Sequence, residues 1–253
     1  MSILLHHRRC RVLSITVLLC LLLPLGAMAA HLKSDSESHT GIEDSPFSML
    51  ILGDSQMAGY GWEGGYATCI LEAYPNAQVF NLAKSGSLLA NGDIYAQWEL
   101  CLSEELPTPD FVLMDGGIND LPHTLREEFQ DTGLALVKEA FSFLVEQIHA
   151  ADPDIHIIYV LMPPLTEWKQ SEKGPPSYDV QEYYWKQMNI LASSYDYITV
   201  LDLFSLNPFR FPCIDCYHEH FADSIHLNEK GYRKTFPYID NMLVAALTKM
   251  LAK

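Results

Sequence analysis

Phe47-Ser48-Met49-Leu50-Ile51-Leu52-Gly53-Asp54-Ser55 is the stretch whose reading decides the fold. A mostly apolar run of strand length stops abruptly at a small residue, an acid and a serine. A buried strand ends this way when it hands a side chain to a site. Alone, Gly-Asp-Ser is ordinary turn chemistry, so the choice depends on the downstream chain.

Four further apolar runs of the same length lie downstream, at 77–82, 110–114, 156–162 and 198–204. Between and after them lie longer stretches with helical spacing: 65–74, 88–106, 134–151, 178–195 and 228–251. The clearest is 134–151, where Leu134, Val137, Ala140, Phe141, Leu144 and Ile148 keep the 3.6-residue period. Pro75-Asn76, Asp152-Pro153 and Pro163-Pro164 punctuate the pattern, and Pro237 is expected to kink or split the last helix. Strand and helix in alternation make a parallel sheet covered by helices on both faces. Near-continuous apolar strands agree, because such strands are buried on both sides. No internal repeat or interior linker interrupts the pattern, so 47–253 reads as one domain. In such sheets the site lies at the carboxyl ends of the strands.

The first 29 residues stand apart. His6, His7, Arg8, Arg9 and Arg11 form a polar, basic start, the run 12–25 is mostly apolar, and Ala27-Met28-Ala29 supplies small residues before a cut. That order is a secretory signal peptide. The rival is an uncleaved membrane anchor, for which the apolar run is short. Export with cleavage after Ala29 is the expectation, to a secreted or periplasmic location. Residues 30–46 are polar and read as a flexible spacer. Removing 1–29 takes away three arginines and no acids, so the net charge moves from −16 to −19. So acidic a chain repels nucleic acid and anionic membrane surfaces. No second apolar run approaches membrane length, so no stable span is expected once the leader is gone.

Cys10 and Cys20 leave with the leader. Cys69, Cys101, Cys213 and Cys216 remain, an even number in an exported chain, so one or two disulfides are expected, as Cys69–Cys101 and Cys213–Cys216. Cys213-Ile214-Asp215-Cys216 also has the spacing of a thiol–disulfide site. It lacks the early βαβ setting of one, and reads as a loop staple.

Three stretches besides Gly53-Asp54-Ser55 carry groups that a serine nucleophile needs: Ser85-Gly86, Gly117-Ile118-Asn119-Asp120 and Asp223-Ser224-Ile225-His226. Ser55 follows the first predicted strand, Gly86 the second and Asn119 the third. Asp223 and His226 lie just before the last helix. A serine hydroxyl needs a base to remove its proton. His226 is the candidate, since imidazole titrates near neutrality. Asp223, three residues earlier, can orient its ring. The oxyanion needs donors placed in advance: the Ser55 N–H, the Gly86 N–H and the Asn119 amide.

These blocks resemble those of the SGNH hydrolase superfamily, the GDSL-type esterases and lipases. Gly53-Asp54-Ser55 is similar to the first block, the run from Asn81 to Gly86 to the second, Gly117-Ile118-Asn119-Asp120 to the third, and the run from Asp223 to Asn228 to the DxxH block. The resemblance implies a flavodoxin-like, three-layer α/β/α sandwich on a parallel five-stranded sheet. It implies Ser55, Asp223 and His226 as a catalytic triad, with Ser55, Gly86 and Asn119 as the oxyanion hole. No metal or organic cofactor is called for. The substrate is then a small-molecule, lipid or polysaccharide ester. Lys84 departs from the second block. The GxSxG elbow of the α/β-hydrolases is absent around Ser55.

Plainer readings stand beside these. Asp54 braces its turn, and Asp120 holds the loop that presents Asn119. His218, His220 and His226 with Cys213 and Cys216 are only loosely zinc-like in spacing, and a metal there would consume the base. Trp168, Tyr178, Tyr183, Tyr184 and Trp185 either line a pocket or pack the core. The expectation is an exported serine esterase. The alternatives are a non-catalytic carbohydrate- or lipid-binding protein on the same fold, and a thiol–disulfide protein using Cys213 and Cys216.

Overall fold

In the computed structural model, which describes residues 42–166 and 174–251, the deciding stretch forms strand β1 (Ser48–Leu52). Its side chains alternate between two faces, as the strand period of two requires. Met49 and Ile51 enter one core and Leu50 and Leu52 another. Strands β2 (Gln78–Asn81), β3 (Phe111–Met114), β4 (His156–Leu161) and β5 (Ile198–Asp202) complete a five-stranded sheet. All pairings are parallel, and the order is β2-β1-β3-β4-β5. The three central strands are the most apolar; β2, at an edge, is only partly buried.

Two helical layers cover the sheet. On the face of Met49 and Ile51 lie α2 (Gly65–Ala73), α7 (Ile214–His220) and α8 (Glu229–Leu251), packing Ile70, Tyr217, Tyr232, Ile239 and Leu243 inward. On the other lie α3 (Asp93–Ser103), α4 (Leu134–Ala151) and α5 (Tyr178–Ala192), which supply Trp98, Phe141, Leu144, Ile148 and Val180. Two four-residue helices follow strands closely: α1 (Ser55–Ala58) after the two-residue turn that ends β1, and α6 (Leu203–Leu206) directly after β5. The predicted three-layer α/β/α architecture is thus the observed one. The chain steps from β1 outward to β2, then crosses to β3 on the other side. Loops after β1 and β3 therefore diverge, and that is where doubly wound sheets bind ligands.

Several boundaries differ from the sequence reading. The fifth strand ends at Asp202, two residues early, because the Asp202 carboxylate accepts from Ser205 N (2.9 Å) and caps α6. Helix α3 starts at Asp93 rather than Leu88, since the Asp93 carboxylate instead accepts from Leu88 N (3.0 Å) and closes a loop. Helix α8 runs unbroken through Pro237. Pro237 lies on its exposed face, where water can meet the carbonyl that loses its donor, while Thr235, Ile239 and Leu243 stay buried. Residues 42–46 are held rather than loose: Ile42 packs against the first core, and Asn76 Nδ2 donates to the Asp44 carbonyl (3.0 Å). The leader, the rest of the spacer and Trp168 lie outside the described residues.

The expected Cys69–Cys101 pairing is not found. Cys69 sits on α2 in one core and Cys101 on α3 in the other, so the sheet stands between two buried free thiols. Cys213 and Cys216 are joined, with Cα atoms 5.4 Å apart, across the start of α7. None of the described helices is long and apolar enough to cross a membrane.

Candidate active site

Ser55 opens α1 directly beyond the end of β1 and is only 6% exposed. The turn that places it needs Gly53, whose φ is +141°. A Cβ there would lie 2.0 Å from Asp115 Oδ1. Gln97 of α3 clamps this glycine from both sides: its Oε1 accepts from Gly53 N and its Nε2 donates to Gly53 O, each at 2.8 Å. Asp54 then caps α1, its Oδ1 accepting from Gln56 N (3.0 Å).

His226 approaches from the loop ahead of α8. The Asp223 carboxylate organises that loop: Oδ1 accepts from Ile225 N (2.8 Å) and His226 N (2.7 Å), and Oδ2 lies 2.8 Å from His226 Nδ1. A carboxylate can only accept, so Nδ1 carries the proton and Nε2 of the neutral ring is an acceptor. Ser55 Oγ lies 2.9 Å from that Nε2. Partial burial opposes ionisation of Asp223, but the bonds from the His226 ring and from the two backbone N–H groups hold its carboxyl below the usual carboxylate range. The result is a continuous relay from hydroxyl to imidazole to carboxylate.

Asn119 lies in a one-turn 3-10 helix (Ile118–Asp120) after β3, behind Gly116 and Gly117, both at positive φ. A Cβ on Gly117 would fall 1.9 Å from the Tyr184 hydroxyl oxygen. Asn119 Nδ2 donates to Ser87 O at 3.0 Å and, less closely, to Asp54 Oδ2 at 3.3 Å. Asp120 ties this turn to the neighbouring loop, accepting from Leu89 N (2.9 Å) and Ala90 N (3.0 Å). Gly86 is on that loop, exposed and at φ +81°. The structure therefore brings Ser55, His226 and Asp223 into direct contact. It ties the Asn119 amide to Asp54, the residue before Ser55, and puts Gly86 next to that amide's acceptor, Ser87.

Beneath Ser55 lies a pair of buried acids. Asp54 N donates to Asp115 Oδ1 (3.1 Å), and both carboxyls are essentially inaccessible. Asp115 Oδ2 finds no hydrogen-bond partner among the described residues. Burial pushes Asp54 up to about 6, against the pull of the Gln56 N–H and of His226. Burial, and then the neighbouring Asp54 charge, push Asp115 well above the carboxylate range. The pair borders a small cavity of about 40 Å³, with Ile118, Tyr159, Tyr184 and Trp185 on its walls. That is room for about one or two waters.

Sequence reasoning passed over three residues that build this site, Gln97, Asp115 and Gln56, and one at its exposed rim, Tyr60. Gln97 carries a signal: it is a polar side chain on the buried face of α3, beside Ile94, Trp98 and Cys101. Asp115 carries another, as an acid following the apolar β3 without a break. Gln56 bonds to the histidine loop, and Tyr60 packs on His226 with ring centroids 4.4 Å apart. Neither of these two had a signal in the sequence. Of the aromatics, Tyr184 and Trp185 line the small cavity; Tyr178 is exposed and stacks on Phe211. Cys213 and Cys216 spend their sulfurs on each other, and His220 Nδ1 lies 2.7 Å from the Cys216 carbonyl oxygen.

Comparison with known proteins places the chain in a family and a fold. Residues 51–234 match the GDSL-like lipase/acylhydrolase family. No curated protein matches the chain. Among solved structures, a protein from Lactobacillus plantarum superposes with a TM-score of 0.62 at 19% identity, over 79% of this chain and 98% of that one. A variant of an acetylxylan esterase from Geobacillus stearothermophilus gives 0.56 at 18% identity, over 79% and 95% of the two chains. Another acetyl xylan esterase gives 0.57 at 16% identity, over 77% and 98%. At such identities these three speak for the fold. The family match covers most of the chain, from the end of β1 into α8. The chain belongs to the GDSL-like lipase/acylhydrolase family of the SGNH superfamily, and so among the hydrolases of ester substrates.

Proposed function

We propose that the protein is an exported serine esterase in which Ser55, His226 and Asp223 form the triad. The observation that carries the reading is the relay Ser55 Oγ–His226 Nε2 at 2.9 Å and His226 Nδ1–Asp223 Oδ2 at 2.8 Å. His226 takes the proton as Ser55 Oγ attacks the ester carbonyl, and Asp223 stabilises the imidazolium. The Ser55 N–H, the Gly86 N–H and the Asn119 amide receive the oxyanion. For Asn119, the long bond to Asp54 is the one that yields to it. His226 then protonates the leaving alcohol, and a water activated by the same ring releases the acid from the acyl-enzyme. Short acyl groups on polysaccharide are the favoured substrates, by analogy with the two xylan esterases of like fold. Export is supported by the basic, then apolar, then small-residue order of 1–29 and by a disulfide suited to an oxidising compartment. Hydrolysis of p-nitrophenyl esters across a chain-length series, with Ser55→Ala as control, tests the reading. Activity is expected on the short esters and lost in the variant; activity that survives Ser55→Ala refutes the mechanism. Hydrolysis of none of these esters speaks for a binding protein.

A further inference from the structure

Tyr60 is the most exposed of the large apolar side chains near the nucleophile, with 65% of its surface in water. Its ring nevertheless lies against the His226 imidazole, centroids 4.4 Å apart and planes inclined by 41°. It is not loosely attached. Tyr60 N donates to the carbonyl of Ser55 itself (3.0 Å), and the turn before it passes through Gly59 at φ +78°. A Cβ on Gly59 would fall 2.6 Å from Gly65 N, so this turn has little freedom to open. The backbone that carries the ring is thus tied to Ser55, and the ring rests on His226 while most of it faces solvent.

From this geometry we infer that Tyr60 is the wall against which the leaving alcohol of the substrate lies, and that it selects alcohols with a flat apolar face, the C–H face of a pyranose ring. The inference rests on the esterase reading above. In acylation the Ser55 Oγ–carbon bond forms and the carbon–oxygen bond to the alcohol breaks. The proton taken from Ser55 passes from His226 Nε2 to the departing oxygen. That oxygen therefore comes within hydrogen-bond reach of Nε2. The group attached to it then lies beside the imidazole, where Tyr60 presents its ring. Stacking there acts on the alcohol alone, because the acyl group is on the other side of the scissile bond. Binding energy from this remote part of the substrate holds the ester for attack.

The test compares two acetates that share an acyl group: ethyl acetate and a monoacetylated methyl pyranoside. For a two-stage mechanism kcat/KM reports acylation, the step that contains the alcohol. Tyr60→Ala is expected to lower kcat/KM for the pyranoside acetate roughly ten-fold, the scale of one lost apolar contact, and to change ethyl acetate by less than about two-fold. Tyr60→Phe keeps the ring and is expected to stay near wild type on both. Equal loss on both acetates in Tyr60→Ala would mean that the ring only steadies His226, and would overturn the inference. So would no loss on either. Wild-type protein that hydrolyses neither acetate would overturn the esterase reading first and the inference with it, an outcome distinct from the other two.

Discussion

Replacing Asp54 by Asn isolates the energetic cost of the acid beside Ser55. Burial raises the Asp54 pKa from 3.8 to about 6. The native state therefore holds a proton over a pH range in which the unfolded chain has released it. Stability falls with pH wherever the native state binds more protons. This group's contribution is then fully present below pH 3.8 and is lost as pH rises through about 6. At about 1.4 kcal/mol per unit, the shift corresponds to about 3 kcal/mol that the native state gives up on ionising Asp54. Asp115 pulls in the same direction, since the Asp54 charge helps to hold its carboxyl high and would be gone in the variant.

An asparagine cannot ionise, so Asp54→Asn abolishes this slope. Its amide nitrogen also cannot accept from Gln56 N or Asn119 Nδ2, whereas either carboxyl oxygen keeps a lone pair in both the neutral and the ionised acid. One buried donor is left facing another donor, which costs about 1–3 kcal/mol at every pH. The two effects separate cleanly. Urea unfolding of wild type and variant from pH 4 to pH 8 is expected to show wild type losing about 2–3 kcal/mol relative to the variant, so that the variant's deficit in acid shrinks to nothing or changes sign by pH 8. A deficit that stays constant across that range refutes the claim that Asp54 titrates at a cost. A deficit that widens with pH refutes its sign.

Asn119→Ala removes the one side-chain donor assigned to the oxyanion and is expected to cut kcat roughly 100- to 1000-fold with KM little changed; a loss below about ten-fold would remove Asn119 from that role. In chain lacking residues 1–29, thiol titration without reductant is expected to find no reactive thiol in the folded protein and two after denaturation, because Cys69 and Cys101 are each only 3% exposed and burial pushes the Cys69 thiol up to about 11. Four thiols before reduction would mean that Cys213 and Cys216 are not paired, and none after denaturation would restore the Cys69–Cys101 bridge.

The layers of the fold were legible because they rest on local patterns. Apolar runs such as Met49–Leu52 and Phe111–Met114 are buried on both faces, and a 3.6-residue stripe such as that of α4 packs on one. Ends were less legible, because they are set by single side chains. Asp202 could extend β5 or cap α6, and composition does not say which; the bond to Ser205 N does. The same holds for Asp93, whose carboxylate closes a loop rather than extending a helix. The cysteines show a third kind of limit. Their even number is visible in the chain, but whether two of them meet depends on which side of the sheet each helix packs. Helices α2 and α3 pack on opposite sides.

At the candidate site the division runs between contacts made within a loop and contacts made across the chain. The bond from His226 to Asp223 spans three residues, and the spacing alone suggested it. The bond from His226 to Ser55 spans 171, and nothing in either stretch sets its length. Gln56 sets it. Its side chain donates to the Ile225 carbonyl and accepts from Leu227 N (3.4 Å), bracketing His226 from both sides. Its own carbonyl accepts from the buried Tyr232 hydroxyl of α8 at 2.6 Å. Gln56 is bonded to Ser55 through one peptide link, so any shift of the histidine loop against α1 must break these bonds together. The contact between His226 and Ser55 is thus supported by a residue outside the proposed triad. A motif reading keyed to reactive side chains passes over Gln56 for that reason, and also over Gln97 on the far side of the same turn. The residues that react can be recognised by type, whereas those that hold them are recognised only by what they touch.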